Sequence, residues 1–344
     1  MLVIRAIQAG DLDALIDLAT QVGSGMTTLK PDREMLGARV ECAVASFAGA
    51  IPPEQRDYMF VMEDVENHRL AGICAIKGSV GLDEPFYNYR IGTLVHSSRE
   101  LNVFTRMDTL YLSNDLTGST ELCSLFLQPD YRAGNNGKWL SKCRFLFIAQ
   151  FQQLFTEKII AEMRGYQSED GYVPFYEGLG RHFFKMDFNH VDQLTALGKK
   201  SFIAELMPRQ PLYVDYLPED ARETIGKVHA NTVPARRLLE SEGMHFEGYV
   251  DIFDAGPVLQ ARVSELRALR ESALAVVDDA AVSGEREPVI VSNTTMADFR
   301  VILTQSNPVN GRIALTEQDQ RLLHCASGDQ VRTLTLNVRK NVHG

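Results

Sequence analysis

The stretch from Ser119 to Gln150 constrains the fold of this chain most tightly. The apolar run Leu122-Cys123-Ser124-Leu125-Phe126-Leu127 reads as a strand, and Gln128-Pro129-Asp130-Tyr131-Arg132-Ala133-Gly134-Asn135-Asn136-Gly137 reads as a Gly/Asn-rich turn. A long helix is predicted from Lys138. A strand feeding such a turn and then a helix leaves the first helical N–H groups without partners, and these groups and the helix dipole together favour phosphate oxygens. The turn is therefore expected to hold a pyrophosphate. Trp139, Leu140, Cys143, Phe147, Phe151 and Leu154 fall on one face of the helix, which predicts packing against a sheet.

Other segments alternate between the two periodicities. Leu2 to Ile7 reads as a strand, Leu12, Leu15, Ile16, Ala19 and Val22 recur at helical spacing, and Arg33 to Phe47 reads as a second helix. Tyr58 to Glu63 and Leu70 to Lys77 predict a hairpin, followed by β-favouring runs at Tyr87 to Ser97 and Val103 to Ser113. Lys158 to Met163 reads as a strand and Pro174 to Leu179 as a short helix with Pro in its first turn. Val233-Pro234, a helix to Gly243 and a strand from Phe246 to Phe253 echo the earlier order around Val173-Pro174, which suggests an internal duplication. Ser264 to Ala281 reads as a helix carrying Asp278-Asp279, and Ser283 to Pro288 as a linker. Short β-favouring runs then occur at Val289 to Ser292, Phe299 to Thr304, Arg312 to Leu315 and Val331 to Val338, with Thr316 to Cys325 helical. The reading is an α+β fold in three parts: a first unit over 1–190, a second, related unit over 191–282 that contributes to the active site, and a small β-rich appendage over 283–344.

Composition narrows the function classes. At 344 residues, 45% hydrophobic and 23% charged, the chain is long enough to bury a substantial core. A formal net charge of -10 argues against a nucleic-acid partner, which calls for a basic face, and is compatible with a small cationic substrate. No apolar run is long enough to span a bilayer, and Met1-Leu2-Val3-Ile4-Arg5 leads straight into a folded-looking segment, so a cytoplasmic location is expected. Cys42, Cys74, Cys123, Cys143 and Cys325 are odd in number and show no close-pair metal spacing, which fits a reducing compartment. No metal is expected.

Arg132, two residues, then Asn135-Asn136-Gly137 resembles the acyl-CoA signature of the GNAT superfamily of N-acyltransferases, with Asn135 where the middle Gly is usual; Asn tolerates a left-handed backbone better than most residues. Read whole, Leu125 to Trp139, Val173-Pro174-Phe175-Tyr176-Glu177-Gly178-Leu179-Gly180, and His229-Ala230-Asn231-Thr232-Val233-Pro234-Ala235 to Gly243 resemble the arginine N-succinyltransferase family. The resemblance runs from Arg5 to about Arg262 and fades beyond. It implies a GNAT-like fold, transfer of succinyl from succinyl-CoA to the α-amino nitrogen of L-arginine (with ornithine as another acceptor), and no permanently bound cofactor. It also implies a partner in the form of a related second chain or further copies of the same chain.

The resemblance places Leu125 and Leu127 beside the cofactor through their backbone groups, and Arg132, Gly134, Asn135, Asn136, Gly137 and Lys138 around its phosphates. Lys142 and Arg144 read equally well as solvated helix residues. Of the eight histidines, His229 stands just before a helix in the family-like segment, where the resemblance implies a general acid. On its residue type alone it reads as a helix-start histidine satisfied by a backbone group. His182, His190 and His245 read as structural or surface residues. A guanidinium is best met by a carboxylate fork; Asp108, Asp115, Glu121 and Asp254 are candidates that sequence does not rank. Two alternatives stand beside this reading, a GNAT acyltransferase with another acyl-CoA or amine, and a non-catalytic partner chain of a two-chain enzyme.

Overall fold

The computed structural model describes residues 1–22, 26, 28–196, 200–278 and 287–338. The chain opens as β1 (Leu2–Ala6), α1 (Leu12–Ala19), α2 (Arg33–Phe47), β2 (Asp57–Asp64) and β3 (Arg69–Lys77). The Asp32 side chain caps α2 by accepting from the Met35 N–H at 2.8 Å. β4 (Asn88–Ser98) and β5 (Val103–Ser113) form one long hairpin, in register from Asn88 opposite Ser113 to Ser98 opposite Val103. β6 (Thr120–Leu127), α3 (Asn136–Gln150) and β7 (Lys158–Glu162) follow, then β8 (Leu212–Tyr213), β9 (His245–Asp251) and β10 (Pro257–Arg262). The C-terminal part adds β11 (Ala273–Asp278), β12 (Val289–Ser292), β13 (Arg300–Thr304), β14 (Arg312–Ala314) and β15 (Gln330–Thr335).

These strands join one 15-stranded sheet in the order β14-β11-β15-β12-β13-β1-β2-β3-β6-β7-β10-β9-β4-β5-β8. The fold is α+β and GNAT-like: strand, two helices and antiparallel strands, with a strand, turn and helix at the centre. The echo between the two Val-Pro segments does not take the form of a second sheet. β10 pairs with β7, Val258 opposite Glu162, and β9 pairs with β4, Asp251 opposite Asn88, so the strands of the second unit complete the first unit's sheet. The C-terminal strands extend the same sheet through β13, where Val301 lies opposite Ile4 of β1.

One expected helix is largely a strand. Within 264–281 only Arg267–Glu271 is α-helical, and Ala273–Asp278 is β11; residues 279–281 lie outside the described residues. Ala275 and Val277 are buried while Leu274 between them is exposed, the two-residue period of a sheet, and pairing with β14 and β15 overrides the local helical composition. The 283–286 part of the expected linker also lies outside the described residues.

α3 runs through the middle of the main core, with every residue from Trp139 to Ile148 buried. Phe147 packs edge-on against Phe60 and Phe299 at centroid distances of 5.1 and 4.8 Å. The expectation of a solvated Lys142 and Arg144 is corrected here, since they are only 3% and 2% exposed. The sheet covers one side of α3, and chain from far along the sequence covers the other. Lys142 Nζ reaches Glu242 Oε1 at 2.5 Å and the Leu336 carbonyl at 2.8 Å, and Arg267 grips the same Glu242 at 3.0 Å. Arg144 donates to Ser141 Oγ at 2.8 Å. Burial on this scale is tolerated because each charge has partners.

Candidate functional site

β6 is continuous on one side only. It pairs antiparallel with β3, and a bulge between Ile73 and Ala75 accommodates Ser124, whose φ of 54° is left-handed. Arg39 Nη1 holds this bulge from behind, donating to Ser124 Oγ at 2.8 Å while its Nε pairs with Asp57 at 2.6 Å. On the other side, the parallel pairing with β7 is confined to Thr120 opposite Ile159 and Glu121 opposite Ile160. Beyond Glu121 the two strands part into a V. The backbone of the β6 arm, including half-buried Leu125 and buried Leu127, is therefore free of a β7 partner.

At the tip of that arm the chain turns into α3. Among the described residues, the N–H groups of Ala133, Gly134, Asn135, Gly137 and Lys138 meet no backbone carbonyl, the first regular bond of the turn being Trp139 N–H to the Asn135 carbonyl at 2.9 Å. Asn135 gives no side-chain cap to the helix. Gly134 has φ 56°, which suits glycine. A Cβ added to Gly137 would come no closer than 3.9 Å to any protein atom, so the fold itself does not demand glycine there. Asn136 Nδ2 fastens the turn by donating to the Tyr131 carbonyl at 3.0 Å. Arg132 folds back, its Nε donating to the Leu127 carbonyl at 2.9 Å and its Cζ 5.8 Å from the centre of the Phe126 ring. Lys138 is exposed, with Nζ 3.4 Å from Asn337 Oδ1. The result is a row of outward N–H donors with two flanking cations, an anion site made almost wholly of backbone.

The second arm is made of side chains. Past β7, Gly165 bridges to Val228 and the Arg164 carbonyl accepts the His229 N–H at 3.0 Å, so His229 is tied to the extension of β7. Its ring Nδ1 accepts the Asn231 N–H at 3.1 Å. A backbone N–H can only donate, so the proton of the neutral imidazole sits on Nε2, which has no partner among the described residues. Burial, and then the charge of Arg164, hold the imidazole pKa below its ordinary value, keeping the ring neutral near pH 7.

Beside it lies an acidic crevice on the sheet face opposite α3. Glu162 ends β7 and accepts from Asn88 Nδ2 at 3.0 Å. Asp251 ends β9, and Asp254 in the following turn accepts the Gly165 N–H at 2.7 Å and the Gly256 N–H at 2.8 Å. A Cβ on Gly165 would collide with the Asp254 carboxylate, so glycine permits that approach. Burial first, then the charges of Asp251, Glu121 and Asp254, push Glu162 well above the usual carboxylate range; Asp254 is raised by burial and by Asp251. All three residues are nevertheless only partly buried. Such a crevice favours the arrival of a cation. Among the described residues, no His, Cys, Asp and Glu converge as a metal-holding group.

Residues 2–268 match the family described as arginine N-succinyltransferase beta subunit, and residues 272–335 match its C-terminal domain. The chain is 47% identical over 337 residues to an arginine N-succinyltransferase of Shigella sonnei (strain Ss046), covering 98% of each, and 46% identical over the same length to one of Escherichia coli (strain K12 / DH10B), again covering 98% of each. The solved structure of arginine/ornithine succinyltransferase subunit AI from Pseudomonas aeruginosa superposes with a TM-score of 0.90 at 33% identity, over 98% of this chain and 99% of that one. The chain belongs to the arginine N-succinyltransferase family.

Within this family member the structure sorts the sequence candidates. Leu125, Leu127, Arg132, Gly134, Asn135, Asn136, Gly137 and Lys138 lie together on one arm of the V, and His229 on the other. Asp254 belongs to the acidic crevice and Glu121 lies within its electrostatic reach. Asp108 is on the exposed face of the β4–β5 hairpin near Thr93, and Asp115 is occupied by Tyr249 and Arg90. His182 and His190 are exposed, and exposed His245 pairs with Glu247 at 2.8 Å. Sequence reasoning missed Glu162, Asp251 and Arg164. The one available signal was an acid directly after Ile159-Ile160-Ala161, at the end of an otherwise apolar strand.

Proposed function

We propose that this chain transfers the succinyl group of succinyl-CoA to the α-amino group of L-arginine, accepting ornithine as a further amine, and that the two substrates meet in the V between β6 and β7. The observation that carries the reading is the opposition of a backbone anion site at Gln128 to Lys138 and a neutral, Nε2-protonated His229 on the other arm. The CoA pyrophosphate sits on the free N–H groups of the turn, with Arg132 and Lys138 meeting its charge, and the pantetheine amides align along the Leu125 to Leu127 backbone on the side where β6 has no β7 partner. No resident cofactor takes part.

The neutral amine attacks the thioester carbonyl, a C–N bond forms and the C–S bond breaks. The nitrogen sheds one proton and the departing sulfur gains one. His229 serves this exchange through its Nε2–H, which donates a hydrogen bond to the sulfur as negative charge develops there, and the proton released by the amine ends on that sulfur. Nδ1 stays on the Asn231 N–H throughout, which fixes the ring. The guanidinium of the acceptor enters the crevice of Glu162, Asp251 and Asp254, where its charge relieves the mutual repulsion of the carboxylates.

We place the reaction in the cytoplasm, supported by five free cysteines and by the absence, among the described residues, of a helix long and apolar enough to cross a membrane. The words beta subunit and subunit AI in the relatives' descriptions support an assembly with a related chain or with copies of this one. The test is an assay of the purified chain for arginine-dependent release of free thiol from succinyl-CoA. Turnover is expected with succinyl-CoA and L-arginine. Preference for acetyl-CoA, or for amines other than arginine and ornithine, would replace the substrates, and succinyl-CoA binding without turnover would mark a partner chain.

A further inference from the structure

Arg164 stands where β7 ends, one arm of the V, and the reaction proposed above gives it no task. Its backbone carbonyl anchors His229. Its guanidinium is half-buried and donates to the Gln167 side chain, with no carboxylate in ion-pair contact among the described residues. Other enclosed guanidinium groups in this chain meet a carboxylate, Arg39 on Asp57 at 2.6 Å and Arg267 on Glu242 at 3.0 Å, or hold more than one neutral acceptor, Arg144 on Ser141 and the Cys123 carbonyl and Arg332 on Gln150 and Ser272. Asp254 and Asp192 act on Arg164 through space without meeting it, and burial outweighs them, drawing its pKa below the ordinary arginine value. A desolvated guanidinium cannot escape by losing its proton under ordinary conditions, so an anion that comes to it is stabilised there. The planar fork fits a carboxylate bidentately.

We propose that Arg164 is the carboxylate receptor of this active site, binding a substrate carboxylate beside the Nε2 of His229 and thereby selecting substrates that carry one. The inference rests on the succinyl transfer proposed above. That reaction offers two carboxylates, the free end of the succinyl group and the α-carboxylate of the amino acid. Within electrostatic reach of Asp254 in the acidic crevice, Arg164 gives the site a pole of the other sign, so an acceptor with a cationic side chain and an anionic carboxylate has one defined orientation. The same pole rejects an apolar acyl group, because filling the site with it leaves the guanidinium buried and unpaired.

Wild type and Arg164→Gln are compared with succinyl-CoA and with butyryl-CoA, its uncharged counterpart of equal chain length, each against L-arginine and against agmatine, which keeps the amine and guanidinium but lacks the carboxylate. Turnover of succinyl-CoA and L-arginine by wild type checks the underlying reading on its own. In Arg164→Gln the preference in kcat/KM for the carboxylate-bearing partner is expected to fall about 10- to 100-fold, the range of a charge-assisted hydrogen bond. A fall along the donor axis assigns the succinyl carboxylate, and a fall along the acceptor axis the amino-acid carboxylate. Where butyryl-CoA or agmatine reacts too slowly, its inhibition constant against the good pair supplies the same ratio. Arg164→Lys, which keeps a charge without the fork, is expected to retain part of the preference. An equal loss across all four pairings in a variant with unchanged melting temperature, or no loss, overturns the proposal, and loss of the preference in neither ratio despite an active wild type does the same.

Discussion

The two arms of the V are built from different materials. The β6 arm presents backbone: its N–H groups are left open by a bulge, a turn and a helix start, and its side chains face elsewhere or serve to shape the turn. The β7 arm presents side chains: His229 and Asp254, tied to the backbone of Arg164 and Gly165, with Glu162 held by the Asn88 side chain and Arg164 by that of Gln167. A backbone site is fixed by chain geometry and tolerates change of most side chains, whereas a side-chain site is lost with one substitution. Binding and chemistry are thus separable by mutation, and the two arms are expected to fail in different ways.

The largest effect is expected at His229. One positioned acid or base contributes about a hundred- to ten-thousand-fold in rate, so His229→Ala should lower kcat by that range with succinyl-CoA affinity and melting temperature nearly intact. The pH profile sharpens this. Because burial and Arg164 hold the imidazole below its ordinary value of 6.5, kcat should be flat through pH 7 and fall only on acidification below that value, as a second proton takes Nδ1 from the Asn231 N–H. A kcat that falls as pH rises from 6 to 8 would indicate an imidazolium acid in place of the neutral ring.

A stability control comes from the ion trio behind α3. Glu242 is fully buried and neutralises both Lys142 and Arg267. Removing one partner of a buried pair costs about 3–5 kcal/mol, so Glu242→Ala should lower the melting temperature sharply while the folded fraction keeps the substrate preferences of the wild type. Chemical denaturation with a matched assay checks both. A change in donor preference without loss of stability would tie the trio to the site itself.

The smallest of the three effects is expected on the β6 arm. The protein leaves room for a Cβ at Gly137, so Gly137→Val should fold, and its cost should fall on an approaching pyrophosphate. The Michaelis constant for succinyl-CoA is expected to rise about tenfold with that for arginine little changed, about 1.4 kcal/mol of binding. An unaltered constant for succinyl-CoA in a folded variant would move the cofactor away from this turn.

The unequal legibility of the arms has the same origin. Leu122 to Lys138 is contiguous, so its strand, glycines and helix start could be read directly, and His229 stood out inside a family-like segment. Glu162 and Arg164 stand at the end of β7 and Asp251 at the end of β9, and the two strand ends are brought together by β10, which pairs with both. Each alone is an ordinary charged residue. Lys142 reads as solvated because its covering groups, Glu242 and Leu336, lie far along the chain, and Arg144 because its acceptors are Ser141 and the Cys123 carbonyl of β6, which carry no charge to signal the pairing. Ala273–Asp278 reads as helix because its alanines and leucine suit one, and only pairing with β14 and β15 makes it a strand.

Separability of the two arms is tested most directly by measuring succinyl-CoA binding calorimetrically and kcat at saturation on wild type, His229→Ala and Gly137→Val. The account predicts a crossed result: His229→Ala binds succinyl-CoA as wild type does and turns over at least a hundredfold more slowly, while Gly137→Val binds about tenfold more weakly and keeps kcat within a few fold. Loss of binding and of kcat by the same factor in both variants would contradict it.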